Sequence, residues 1–372
     1  CKGERKKGVA AEEKYWLGLS LVSGIGAAKV ARLYELLGSA RAAWHASDAE
    51  LQQAGLDRRA RQNLAELRAT LDLDGALKRL QERHIRLLYS AGEQYPALLR
   101  EIALPPPLLY CSGEIRPEDN KAVAIVGSRR MSQYGRQVTR ELVTELVQQG
   151  VTIVSGLARG IDTVAHQTAL ELGGRTIAVL GSGLDRIYPA ENRQLARDIV
   201  RNGQGAILTE HPLGTKPDAR HFPPRNRIIS GLSRGVLVIE AGQKSGALIT
   251  TTFALEQDRE VFAVPGPINS PLSEGTNSLI KEGATMVTGA VDILRELRWQ
   301  PEPVNLAGRQ LGLPATADEV ALWTHLTRNP VHVDELCRLV ELPSSTVTST
   351  LVMMELKGLV QAVAPLHYAK FF

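Results

Sequence analysis

Cysteine is scarce. Three residues in 372, Cys1, Cys111 and Cys337, lie far apart and form no CxxC pair. That argues against a disulfide framework and against zinc-ligand spacing, so no metal is expected and a reducing compartment, the cytoplasm, is the expected location. Long hydrophobic runs are missing as well. No apolar stretch approaches the ~18 residues of a membrane span, so no membrane partner is expected. The opening CKGERKKGVAAEEK is too polar for a signal peptide and reads as a basic lead-in with no function of its own. Phosphate-loop and nucleophile signatures are missing from the loops too: there is no G-x-x-x-x-G-K-[ST], no G-x-G-x-x-G after the first apolar strand, and none of the loop serines Ser128, Ser155, Ser182 and Ser245 lies in a G-x-S-x-G. These absences lower the odds of a nucleotide hydrolase, a dinucleotide enzyme or a serine hydrolase.

What is present divides the chain into four parts. Residues 1–84 read as short amphipathic helices around the turn Ser23-Gly24-Ile25-Gly26, in the manner of a SAM or helix-hairpin-helix domain. The turn's N–H groups can face a DNA phosphate, or the turn can be a corner that only packs; its nearby cations are limited to Lys29 and Arg32. Residues 85–298 open with an extended, proline-rich entry (Pro105-Pro106-Pro107). They continue as short apolar runs (AVAIVGS, VTIVSG, TIAVLGSG, AILTE, GVLVIEAG, EVFAVPGP) alternating with helical segments, which predicts a parallel α/β sheet. Residues 299–315 lack periodicity and read as a linker, and 316–372 read as three helices and a β pair, a winged helix. Its second hairpin helix, SSTVTSTLVMMELKG, has hydroxyls at Ser344, Ser345, Thr346, Thr348 and Ser349 but no cation before Lys357, so weak or absent duplex binding is expected.

Net charge is only +4, so binding to a polyanion has to come from local clustering. Between Thr215 and Gly246 six basic residues (Lys216, Arg220, Arg225, Arg227, Arg234, Lys244) face two acidic ones (Asp218, Glu240), an excess as large as that of the whole chain. The strand-end loops carry the same signal. Gly127, Ser128, Arg129 and Arg130 follow the first strand, and Gly156, Arg159 and Gly160 follow the second, with Asp162 expected to cap the next helix. Glycine lets a backbone approach an anion, a helix N-terminus favours one, and arginine grips it in two places. Glu240 and His166 read as structural residues, and His211 and His221, ten residues apart, show no recognisable metal spacing. Aromatic residues are only 5% of the chain, yet Tyr188 and Phe222 both neighbour proline and arginine, which suits either base stacking or anchoring of their loops on the core.

Together, VAIVGSRRMSQYG, VSGLARGIDTVAH, VLGSGLDRIYPAENRQL, HFPPRNRIISGLSRGVLVIEA, KSGALITTTFALEQDREVFAVPGP and GTNSLIKEGA resemble the DNA-processing protein A (DprA/Smf) family, densely from about Tyr95 to Leu297. The resemblance implies an extended Rossmann-like sheet, flanked by the helical and winged-helix domains. It also implies a cytoplasmic, non-enzymatic, cofactor-free protein that binds single-stranded DNA, protects it in natural transformation and loads RecA recombinase onto it. Carried over by motif, Gly127, Ser128, Arg129, Gly156, Arg159, Gly160, Arg225, Asn226 and Arg227 are expected on the DNA backbone. Ser182 to Tyr188 is expected to line the pocket, with Tyr188 or Phe222 stacking on bases and Lys244 and Ser245 in the adjoining Gly-turn. A homodimer is expected through NSLIKEGA, Leu279 and Ile280 in particular. Two rivals stand beside this reading. One is a small-nucleotide enzyme of the phosphoribohydrolase kind, whose usual PGGxGT loop is here GQKSGALIT; the other is a protein adaptor with an acidic partner.

Overall fold

A computed structural model describes residues 12–300, 316–327, 329–357 and 359–370. The lead-in 1–11 and all but the first two residues of the expected linker lie outside the described residues. The chain divides into two compact units, Cys1–Glu302 and Pro303–Phe372.

The first unit is built on a nine-stranded sheet of order β1-β2-β6-β5-β4-β3-β7-β8-β9. Its strands are β1 (Ile85–Tyr89), β2 (Leu108–Gly113), β3 (Ala122–Val126), β4 (Thr152–Ser155), β5 (Thr176–Val179), β6 (Gly205–Thr209), β7 (Gly235–Val238), β8 (Glu260–Ala263) and β9 (Thr285–Met286). Strands β3 to β9 run parallel, whereas β1 and β2 extend the sheet antiparallel beyond β6. The central strands are apolar throughout because helices cover both faces, so neither set of alternating side chains meets water. Ala122, Ala124 and Val126 join one core with Ile228, Ile229 and Ala254, while Val123 and Ile125 join another with Leu142, Leu146 and Ala165.

The helices before Ile85 are not walled off from this sheet. Trp16, Trp44 and Leu64 share one core with Ile85, Leu87, Leu108 and Tyr110 of β1 and β2. The Ser23–Gly26 turn forms as expected, and Gly26 starts the helix Ala27–Leu37 with no side-chain cap. Lys29, however, is engaged within the chain, donating to Gly24 O at 2.9 Å and to Asp57 at 2.6 Å.

The second unit is a winged helix. Helices Ala317–His325, Val333–Val340 and Ser344–Leu356 pack around Leu322, Leu336, Val347, Leu351 and Met354. A three-stranded sheet, β10 (Val331–His332), β12 (His367–Lys370) and β11 (Val360–Ala364), completes it, one short strand more than the sequence indicated. The helix Ser344–Leu356 exposes Ser345, Ser349, Val352 and Met353, a face with no cation. Among the described residues no helix is long and apolar enough to cross a membrane.

Candidate nucleic-acid interface

The chain runs outward from β3 through β4 and β5 to β6, then returns to lay β7 on the other side of β3. Such a switch point leaves a crevice at the carboxyl ends of the two central strands, where open α/β sheets bind ligands. Here the crevice is a cavity of about 840 Å³, lined by Gly127–Arg130 after β3, Tyr188 after β5, Phe222, Arg225 and Asn226 after β6, and Gly242 and Lys244–Ala247 after β7.

The loops are locked together before any ligand arrives. The carbonyl of Ser128 accepts from Ile161 N at 3.2 Å, which joins the loop after β3 to the helix after β4. Gly160 makes this possible: its φ is 74°, and a Cβ there would lie 2.2 Å from Ser128 O. Glu240, which follows β7, accepts from both the N–H and the hydroxyl of Ser132, the cap of helix Gln133–Gln148. Its role is to tie β7 to the loop after β3.

The cations divide into two groups. Arg129, Arg130 and Lys244 line the cavity and make no ion pair among the described residues. The Arg129 guanidinium stands 5.6 Å from the centre of the Phe222 ring, and Tyr188 meets the same ring at 5.7 Å with a 40° tilt. Tyr188, 42% exposed, is the more open of the two rings and precedes a cis peptide bond to Pro189. Ser245 caps locally, accepting from Ala247 N at 3.3 Å, and Asn226 donates to Gly246 O at 3.3 Å, so the Gly-turn and the helix Phe222–Gly231 hold one another.

The other arginines are engaged. Arg159 sits at the rim in a two-point pair with Glu191. Arg225 is buried, donating to Gly156 O at 2.8 Å and to Val179 O. Burial pushes its pKa down to about 10 against the pull of Asp162, so it stays charged at neutral pH. Arg227 does not line the cavity: it donates to Leu104 O at 2.9 Å and pairs with Glu210 at 2.5 Å. Ser182 is buried and donates to Arg186 O, shaping its loop from within. Of the residues expected at the DNA, Arg225 borders the cavity while bonded to protein carbonyls, and Arg227 and Ser182 lie outside its lining with protein partners of their own.

Asp162 also departs from expectation. Gly160 is the cap of helix Ile161–Glu171, and Asp162 reaches back to accept from Gly156 N at 3.0 Å and Ala158 N at 3.2 Å. Burial raises its pKa, with Arg225 and these backbone bonds opposing the rise. Beneath it, buried His166 bonds Thr176 at 2.6 Å, and burial drives its pKa down to about 3. Leu279 and Ile280 lie on helix Glu274–Lys281, both half-buried, with Leu279 packed on the core. Sequence reasoning missed Glu191 as the partner of Arg159 and Asp162 as the acceptor of the Gly156 and Ala158 N–H groups. Only Glu191, three residues beyond Tyr188, had a signal within its own motif.

Glycine- and arginine-bearing loops at the switch point of a parallel sheet define a Rossmann-like protein with a cation-lined crevice. Residues 86–298 match the model of DNA recombination-mediator protein A, and 307–364 match the DprA winged helix domain. The chain belongs to this DprA/Smf family. It is 38% identical over 361 residues to protein Smf of Escherichia coli, covering 95% of this chain and 94% of that protein. It is 35% identical over 395 residues to protein Smf of Synechocystis, covering 96% and 99%. Among solved structures, DNA processing protein A from Streptococcus pneumoniae matches with a TM-score of 0.68 and 36% identity, over 76% of this chain and 97% of that one. DNA processing protein A from Helicobacter pylori, whose structure is described as giving insight into a unique single-stranded DNA binding mode, matches with a TM-score of 0.52 and 33% identity, over 57% and 95%.

Proposed function

We propose that this chain binds single-stranded DNA in the switch-point cleft, without catalysis, and protects it and hands it to RecA recombinase during transformation and recombination. The observation that carries the reading is the cleft's composition. Arg129, Arg130 and Lys244, in no ion pair among the described residues, line one cavity with two adjoining rings, Tyr188 and Phe222. A cationic track with stacking faces suits a polymer of phosphates with unpaired bases. Membership of the family and the likeness to the Helicobacter pylori protein support it. The nucleotide-enzyme rival is weaker, because the one carboxylate lining the cavity among the described residues, Asp162, is buried and engaged. A homodimer through Leu279 and Ile280 would place two clefts on one strand and raise avidity.

The test is a titration of fluorescent oligo-dT, against duplex of equal length, at several salt concentrations. Single-strand binding should be preferred and fall steeply with salt. Arg129→Ala with Lys244→Ala should weaken it and flatten the log–log slope by about 0.7 per lost contact. Equal binding of duplex, or an unchanged slope, would move the site elsewhere. Release of free base from a nucleoside monophosphate would favour the enzyme. Transfer to the recombinase is read by the rate of RecA filament growth on DNA coated with this protein, and the dimer by sedimentation.

A further inference from the structure

Arg225 lies in the motif from which phosphate contacts are expected and borders the cavity, yet its hydrogen bonds run to protein atoms. It is 4% exposed. One of its nitrogens, Nη1, serves two carbonyls, Gly156 O at the end of β4 and Val179 O at the end of β5, while Nε is turned to Asn226. It occupies the first turn of helix Phe222–Gly231, where the macrodipole opposes a cation. A buried charge in such a place calls for opposite charge nearby; Asp162, from the helix after β4, is the acidic group whose attraction opposes the burial of Arg225, across a gap too long for a direct ion pair. The guanidinium takes up the space of a missing side chain, for a Cβ on Gly156 would fall 2.6 Å from both Nη1 and Nη2.

This pair holds the loop after β4 from both sides. Arg225 takes the carbonyl of Gly156, and Asp162 takes the N–H groups of Gly156 and Ala158. The constraint passes outward through two routes. Ile161 N, one residue before Asp162, is bonded to Ser128 O, next to Arg129. The Phe222 ring lies 5.9 Å from the Arg225 guanidinium and 5.6 Å from that of Arg129.

We propose that Arg225, with Asp162, is a positioning residue. It fixes the loops after β4 and β5, and through them the stacking face of Phe222, in the arrangement that receives bases, and it touches no phosphate itself. The proposal rests on the single-strand reading. It separates from a phosphate contact in three ways. A contact is replaced well by lysine, whereas a planar fork bridging two strand ends is not. A contact adds to the salt slope, whereas a positioning residue changes affinity alone. Most sharply, neutralising Asp162 removes a negative charge from beneath the DNA. That strengthens binding if Arg225 acts directly on phosphate and weakens it if the pair acts by holding the loops.

The experiment is the oligo-dT salt titration on the full chain, with Arg225→Lys, Arg225→Gln and Asp162→Asn, and with Arg129→Ala as the contact control. Each of the first three should lose at least about tenfold in affinity at every salt concentration with the wild-type slope intact, while Arg129→Ala flattens the slope by about 0.7. A flatter slope for Arg225→Gln, near-wild-type binding by Arg225→Lys, or tighter binding by Asp162→Asn would overturn the proposal. Should Arg225→Gln fail to fold, the near-isosteric Asp162→Asn decides by its sign. Amide exchange without DNA gives a second readout: Gly156 and Ala158, protected in the wild type, should exchange faster in Arg225→Lys. Unchanged protection would also overturn the proposal. Absence of wild-type single-strand binding would instead sink the functional reading, leaving the exchange result to decide whether Arg225 fixes these loops.

Discussion

Arg159 and Glu191 meet at the rim of the cleft through two hydrogen bonds, Nε to Oε1 at 2.5 Å and Nη2 to Oε2 at 3.1 Å, with both side chains more than half exposed. The bond to Arg159 lowers the pKa of Glu191, and the same bond raises that of the arginine. A phosphate reaching Arg159 must therefore displace a carboxylate. Glu191→Gln should tighten single-strand binding several-fold at low salt and steepen the salt dependence. Unchanged affinity in the oligo-dT titration would take Arg159 out of the contact set.

Gly160 should tolerate no side chain. Its backbone angles, φ 74° and ψ −125°, lie where only glycine is at ease, and its neighbour is a carbonyl rather than a yielding side chain. Gly160→Ala should cost about 1–3 kcal/mol of stability, read as a lower denaturant midpoint at constant m-value.

His166 should make the fold acid-sensitive in a defined window. Thr176 Oγ1 donates to Ile153 O, so it accepts from Nδ1–H of the histidine, and Nε2 has no partner among the described residues. Burial holds the folded-state pKa at about 3, below the ordinary 6.5. The unfolded chain thus binds a proton that the folded chain refuses. Stability from this group is complete above pH 6.5 and falls as the pH drops toward 3, by at most ~1.4 kcal/mol per pH unit. Unfolding midpoints across that range should show a shallower pH slope for His166→Gln than for the wild type.

Tyr188 should contribute through its ring and not through charge. Tyr188→Ala should weaken oligo-dT binding by about 1–3 kcal/mol without altering the salt slope, and Tyr188→Phe should bind nearly as the wild type does. A loss in Tyr188→Phe equal to that in Tyr188→Ala would point to the hydroxyl and against stacking.

The sheet was readable because strands buried on both faces are apolar throughout, as in AVAIV and GVLV, and glycine closes several of them. The winged helix was readable from its order of elements. The site was less so. In RNR, Arg225 and Arg227 look like one cluster, but residues two apart on a helix point to opposite sides. One accordingly enters the core under the cleft while the other turns to Glu210 and Leu104. Asp162 has the residue type and place of a cap, and only the fold of the preceding loop reveals that its carboxylate is turned back on Gly156 and Ala158. The N-terminal helices give no local sign that their core continues onto β1 and β2, since that depends on Leu108 and Tyr110 arriving from downstream.

The position of β3 has a consequence for synthesis. Its neighbour β7 pairs with it in the register Val123 to Gly235, more than a hundred residues later. While the nascent chain emerges from the ribosome, β3 to β6 can assemble with one side of β3 bare, and the Gly-turn that closes the crevice arrives after β7 has docked. A product ending before Gly235 is therefore no weaker binder with part of a site. It is a sheet with an open central edge, a template for aggregation, and the chain gains both its function and its solubility at the same step.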